Sequence, residues 1–338
     1  MLSQYSRPRL TRLESKHRSV RSNTSSVSTT SPATLPVDLR EESYLQDLEL
    51  MMQWCTSTYK TMARNPASET IWQTTIPTLS LRHPPLRQGL LALSALHLAS
   101  TTVSARRWQY LETARAHQSH ALAALSTPLD PEADPNVTFA LCCVMIAFAF
   151  GYCLVDEDDP PDRLEEFLEV LQLTRWLVSI IMPILERVTT GELNPLIKPE
   201  DPRPTMPDMS RLVVLSLRRQ NALEALQDPT HEESLYESAI EHLSHALERL
   251  MKGGEPKVFA FCWCFRVPEG FLELLDARRP FALVILAHYA VVLHHLRDSW
   301  WMGDWGTRIL SQIGDSVPPE WKAHIGWPVD ATGCFMSP

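Results

Sequence analysis

The sequence predicts an all-α protein, a single large helical domain behind a disordered N-terminal arm. Glycine is scarce, eleven in 338 residues, which disfavours sandwiches, barrels and Gly-rich nucleotide folds. Long segments of helix formers repeat apolar residues at helical spacing, and paired prolines, an Asp-Pro step and a Gly-Gly step punctuate their ends. With 44% hydrophobic and 21% charged residues, the chain can bury a sizeable core as a soluble globular protein.

The elements follow in order. Arg7, Arg9, Arg12, Lys16, Arg18 and Arg21 face one acid, Glu14, and the run SNTSSVSTTSPATLP after them is too poor in apolar residues to fold. Residues 1–40 therefore read as a disordered basic arm and Ser/Thr-rich linker, either a solvated tail without a partner or a segment for nuclear targeting or anion contact. The helical domain covers 41–330. Its first helix, Glu41 to about Ala63, shows Leu45, Leu48, Met52 and Cys55 or Thr56 at helical spacing. Pro84-Pro85 opens a second, apolar nearly all round from Leu86 to Ala99. Arg106 to Ser126 is amphipathic, with Tyr110, Ala114, His117 and Ala121 on one stripe, and Pro128, Pro131 and Pro135 end it.

Val137 to Val155 runs nineteen residues without a charge, just long enough to span a bilayer. It lacks flanking Lys or Arg and ends in Asp156-Glu157-Asp158-Asp159, so it reads as a helix buried on all sides and not as a membrane span. Asp162 to Thr189 continues as a helix that Pro183 should kink. A Pro-dense surface connector covers 194–208. Met209 to Leu226 and Glu232 to Met251 form an antiparallel pair about Asp228-Pro229, closed by Gly253-Gly254. Phe281 to Leu296 is a shorter apolar helix expected to pack beside Val137 to Val155. Ser299 to Pro328 then holds five of the ten tryptophans around Gly303 and Gly306, a block that can line a dry cavity or cap a core.

The net charge of −9 argues against the whole chain gripping nucleic acid. Seven cysteines, an odd number mostly inside apolar runs, fit reduced thiols in an intracellular protein without a secretory leader. No GxSxG, Walker loop, GxGxxG or HExxH occurs. The pairs His117/His120, His242/His245 and His294/His295 lack the company a zinc site requires, and Cys262-x-Cys264 is too short for a zinc knuckle. No metal, cofactor or catalytic set is assigned. Asp158-Asp159-Pro160-Pro161-Asp162 matches the letters DDxxD, by which class I terpene cyclases hold Mg²⁺ against a diphosphate. An isoprenoid-handling enzyme using Asp158, Asp159 and Asp162 is thus the alternative, although two prolines break the helical register such ligands need. An acidic turn capping the helix at Asp162 is the favoured use.

The run HPPLRQGLLALSALHLAS (His83 to Ser100), with Tyr110, Ala114, His117 and Ala121-Leu122, resembles the start of the C-terminal regulatory domain of fungal zinc-cluster transcription factors of the sterol uptake control type. Phe261 to Leu310, ending in Trp321 and Trp327-Pro328, is similar to that family's C-terminal signature. Leu164 to Arg175 resembles its middle helix, with Trp176 where the pattern has glycine. The resemblance covers about residues 40 to 328 and implies a nuclear regulator, shuttling from the cytoplasm in some settings, that binds a sterol-like hydrophobic molecule and controls RNA polymerase II transcription as a homodimer or with other transcription factors. On that reading Phe148, Phe150, Trp263, Tyr289, Trp301 and Trp305 line a cavity, and His97 and His288 anchor a hydroxyl. Family members also carry a six-cysteine array near the N-terminus that binds two zinc ions and reads DNA. Here the first cysteine is Cys55, so no autonomous sequence-specific DNA binding is expected.

Overall fold

A computed structural model describes residues 37–126, 134–156, 162–198, 209–251, 257 and 260–334. These residues form helices and turns, with no strand among them, in agreement with the all-α prediction. The N-terminal arm lies outside the described residues up to 36.

Helix α1 (Val37–Gln53) passes through a π turn, Trp54–Thr58, and ends at Met62. The apolar stripe read from the sequence faces solvent, with Leu45 57% and Met52 63% exposed. Leu50, Trp54 and Thr58, at four-residue spacing, are buried in its place. Trp54 decides this: its indole N–H donates to the Trp72 carbonyl at 2.9 Å, and the wide π turn carries the next buried position, Thr58, onto the same face. Trp72 belongs to a helical stretch from Pro66 to Ser80 that periodicity does not reveal. Its start is nevertheless written locally, since the Asn65 side chain accepts from Ser68 N at 2.8 Å in a reciprocal capping box with Pro66 at the first position.

Helices α2 (Pro84–Thr101) and α3 (Arg106–Leu125) form a hairpin, and α4 (Pro135–Val155) packs against α2. The membrane-length apolar window of α4 is 83% buried inside the protein, as expected of a central core helix. Helix α5 (Arg163–Ile181) packs on α4. Asp162 caps it, Oδ1 accepting from Leu164 N and Glu165 N. At its other end Pro183 breaks the helix, and a 3₁₀ turn, Met182–Ile184, leads into Leu185–Thr189. Of the connector, Asn194–Ile197 is a short helix and 199–208 lie outside the described residues.

Helices α6 (Met209–Gln227) and α7 (Glu233–Met251) run antiparallel, tied by Arg218 to Glu237 at 2.7 Å and by Asn221 Nδ2 to the Glu233 carbonyl at 3.1 Å. The short helix Glu269–Asp276 ends in a Schellman turn: Arg279 N reaches the Leu274 carbonyl and Arg278 N the Leu275 carbonyl. Arg278 occupies its left-handed position at φ 52°, where glycine is usual, and its guanidinium pairs with Asp162.

Helix α8 (Pro280–His294) corrects one expectation. Its principal neighbours are α7 and α9 (Trp305–Ser316), not α4. Helix α9 packs on both α8 and α5, and Trp305 donates to the Phe150 carbonyl of α4 at 3.0 Å, so the Trp-rich block fills the space the sequence assigned to α8. Gly306 permits this approach. A Cβ there would lie 2.6 Å from the Ala290 carbonyl and 2.8 Å from His294 N. One continuous hydrophobic core draws on residues from Leu50 to Ile325, and all seven cysteines are free thiols.

Candidate functional site

An apolar pocket of about 120 Å³ opens where α4 meets the Pro66–Ser80 stretch and the tryptophan block. Trp72, Phe139, Ile146, Phe261, Trp301 and Met62 form its walls, and Arg64 and Lys257 its polar rim. The rim is structural as well. Lys257 Nζ donates to the Thr61 and Ala63 carbonyls at 2.9 and 2.8 Å, and Arg64 donates to the Pro195 and Lys198 carbonyls. Both cations thereby hold the end of the α1 segment against distant chain. Trp301 enters the pocket stacked on Phe261, ring centres 6.3 Å apart.

Of the eight residues nominated from sequence, Trp301 alone borders this pocket. Phe148 is enclosed and stacked on Tyr152. Phe150 and Trp305 meet edge to face at 5.9 Å. Trp263 and Tyr289 stack at 4.2 Å, the indole donating to the Ala239 carbonyl and the phenol to the Ala260 carbonyl. The Tyr289 hydroxyl also meets the Cys264 sulfur at 2.9 Å, and burial pushes that thiol up to about 12. These five rings pack against other side chains in the core, where their N–H and O–H groups already have partners. Within the Trp block, Trp305 caps the core and Trp301 borders the pocket.

The two nominated histidines are committed as well. His97 Nδ1 lies 2.9 Å from the Thr58 hydroxyl, and its ring stacks flat on Trp300 at 4.7 Å, joining α1, α2 and the tryptophan block. His288 Nδ1 donates to the Val284 carbonyl at 2.8 Å, and its ring stacks on Trp327. Burial, aided by His324, lowers the His288 pKa to about 4 against the pull of that backbone bond, so the ring is neutral at pH 7.

Phe261 is the residue that sequence reasoning passes over. It stands two places before Trp263 in the strip FAFCWCF, and apolar composition alone does not separate a ring facing a pocket from one facing the core. Trp72 and Arg64 escape it because the helix starting at Pro66 has no clear period. The capping pattern of Asn65 and Ser68 is the signal that could have found them.

Asp162 is engaged by two backbone N–H groups and by Arg278, which leaves its carboxylate serving the fold. Asp158 and Asp159 lie outside the described residues. Among the described residues no group of three or more His, Cys, Asp or Glu side chains is placed to hold a metal ion. A second acidic anchor lies at the C-terminus of α4. Asp156 accepts from Arg115 at 2.9 Å and from the Tyr152 hydroxyl at 2.8 Å, and Arg115 lies over the Tyr152 ring.

Comparison with known proteins places residues 49–159, from α1 to just beyond α4, within the family model described as the fungal specific transcription factor domain. The chain is also similar to a Zn(2)-C6 fungal-type transcription factor of Gibberella zeae, with 25% identity over 309 aligned residues covering 84% of this chain. It spans 61% of that relative's length.

Proposed function

We propose that residues 41–330 act as the regulatory domain of a fungal transcription regulator of the sterol uptake control type, working in the nucleus and not as an enzyme. The observation that carries this reading is the match of residues 49–159 to the fungal specific transcription factor domain. The packed helices α1 to α4 support it: the Thr58–His97 contact joins the α1 segment to α2, and the Arg115–Asp156 pair joins α3 to the end of α4.

The ligand in this reading is a hydrophobic molecule entering beside Trp301. At about 120 Å³ the pocket is smaller than the roughly 300–1,000 Å³ of sites enclosing drug-sized ligands. A sterol therefore enters only by displacing Trp301 and Phe261, and this movement is the switch. Partners are a second copy of the chain or another transcription factor.

Fusing residues 41–338 to a heterologous DNA-binding module and a reporter promoter tests the function. Reporter output should change on fusion and respond to an added sterol; output equal to the module alone removes the regulatory reading. Purified protein should melt higher with the sterol, by about 2.7 kcal/mol of stability at a hundredfold excess over Kd. Trp301→Ala, which removes a ring the sterol must push aside, should enlarge that rise at the same sterol concentration. An unmoved melting curve removes the ligand claim and leaves the reporter result standing.

A further inference from the structure

A second cleft, about 260 Å³, lies between α7 and the short helix Cys262–Arg266, away from the Trp301 pocket. Its wall carries His242, His245 and Arg249 from α7 and Arg266 from the facing helix, with Glu248 the one acid. The spacing explains the α7 contribution: positions three and seven apart share one helix face. Arg266, four residues after Cys262, points back across the same gap.

Three observations set this cleft apart from ordinary basic surface. Neither the Arg249 nor the Arg266 guanidinium forms a hydrogen bond or ion pair with any described residue, in a chain that carries 40 acidic residues. His242 Nδ1 is a buried polar atom without a hydrogen-bond partner among the described residues. The His242 pKa is lowered, first by burial and then, against Glu241, by the positive charge of Arg266 and of His245. Like charges concentrated in a concave site repel one another, and an anion seated among them relieves the repulsion.

We propose that this cleft binds a phosphate monoester or a comparable small dianion, held by the guanidinium groups of Arg249 and Arg266 and by the imidazole of His242. Planar guanidinium donors match phosphate oxygens two at a time, and the unpartnered Nδ1 supplies a further donor when protonated. Ala246 and Cys262 complete the lining of the cleft.

The test is calorimetric titration of the full chain with inorganic phosphate, with sodium chloride at matched ionic strength as control. Saturable binding of phosphate and none of chloride is expected. Arg249→Gln with Arg266→Gln should weaken it at least about tenfold, and both residues are exposed, so the variant keeps the wild-type melting temperature. Phosphate heats equal to those of chloride overturn the proposal, as does undiminished binding by a folded double variant. A phosphoserine peptide and a sugar phosphate run in parallel identify the source of the phosphate group, the tighter ligand marking it as a modified protein or a metabolite.

Discussion

Gly306→Ala is the sharpest probe of how the tryptophan block is seated. The added methyl would lie 2.6 Å from the Ala290 carbonyl, 2.8 Å from His294 N and 2.9 Å from His294 Cβ. Two of these are backbone atoms inside α8, which cannot rotate away, so α9 must withdraw by several tenths of an ångström. Its buried residues Ile309, Leu310 and Ile313 then lose contact with the core together. Overpacking of this kind costs about 1–3 kcal/mol. The helix-propensity gain of alanine over glycine, at most about 1 kcal/mol and less in the first turn, does not offset it. A net loss of about 2 kcal/mol is expected. At about 2.1 cal/mol/K of unfolding entropy per residue over 338 residues, that lowers Tm by about 3 °C. Gly326→Ala is the matched control, because a methyl added there meets nothing within 4 Å and the residue begins a helix. Calorimetric melting of both variants against wild type decides the matter. Equal melting temperatures for the two would refute the close approach of α9 to α8.

Two other perturbations and one binding assay carry the remaining predictions. His288 has its folded pKa lowered to about 4 from 6.5, so the unfolded state binds the extra proton between those values and stability is fully present above pH 6.5 and lost as pH falls toward 4. The loss reaches about 3 kcal/mol, and His288→Gln should flatten the dependence of Tm on pH across that window; an unchanged slope would contradict it. Arg175→Met removes the donors to the Cys264 and Val267 carbonyls at 2.8 and 2.9 Å and should cost about 3 kcal/mol in denaturant titration, with a cost below about 1 kcal/mol speaking against a buried staple. Site-selective nanomolar binding in a gel shift by this chain alone would overturn the expectation that it does not read DNA.

The helices are legible where periodicity and punctuation agree. Pro84 and Asp162 mark helix starts that the structure repeats within a residue or two, because fixed proline φ and a capping carboxylate act locally, and Pro135, read as part of a break, is the first residue of α4. The outer face of α1 is not legible. Leu45, Leu48 and Met52 form a regular stripe, yet burial follows Trp54, whose partner Trp72 lies eighteen residues away in a stretch with no clear period. The site suffers for the same reason. Trp263, Tyr289 and Trp305, named as cavity-lining on the family resemblance, are buried, and buried rings divide into core and pocket only through long-range packing, as Phe261 and Trp301 illustrate. The basic cleft is half visible: His242 and His245 stand out as a pair, and Arg266 reaches them only through the fold.

The bond from Trp305 to Phe150 and the stack of Trp300 on His97 bear on where this chain can be cut. A fragment ending near residue 159 keeps every residue of the family match and forfeits both plugs, leaving the Phe150 carbonyl without its indole donor and one face of His97 bare. Family likeness and autonomous folding therefore stop at different places, and expression trials with the shorter fragment should yield insoluble or loosely ordered material.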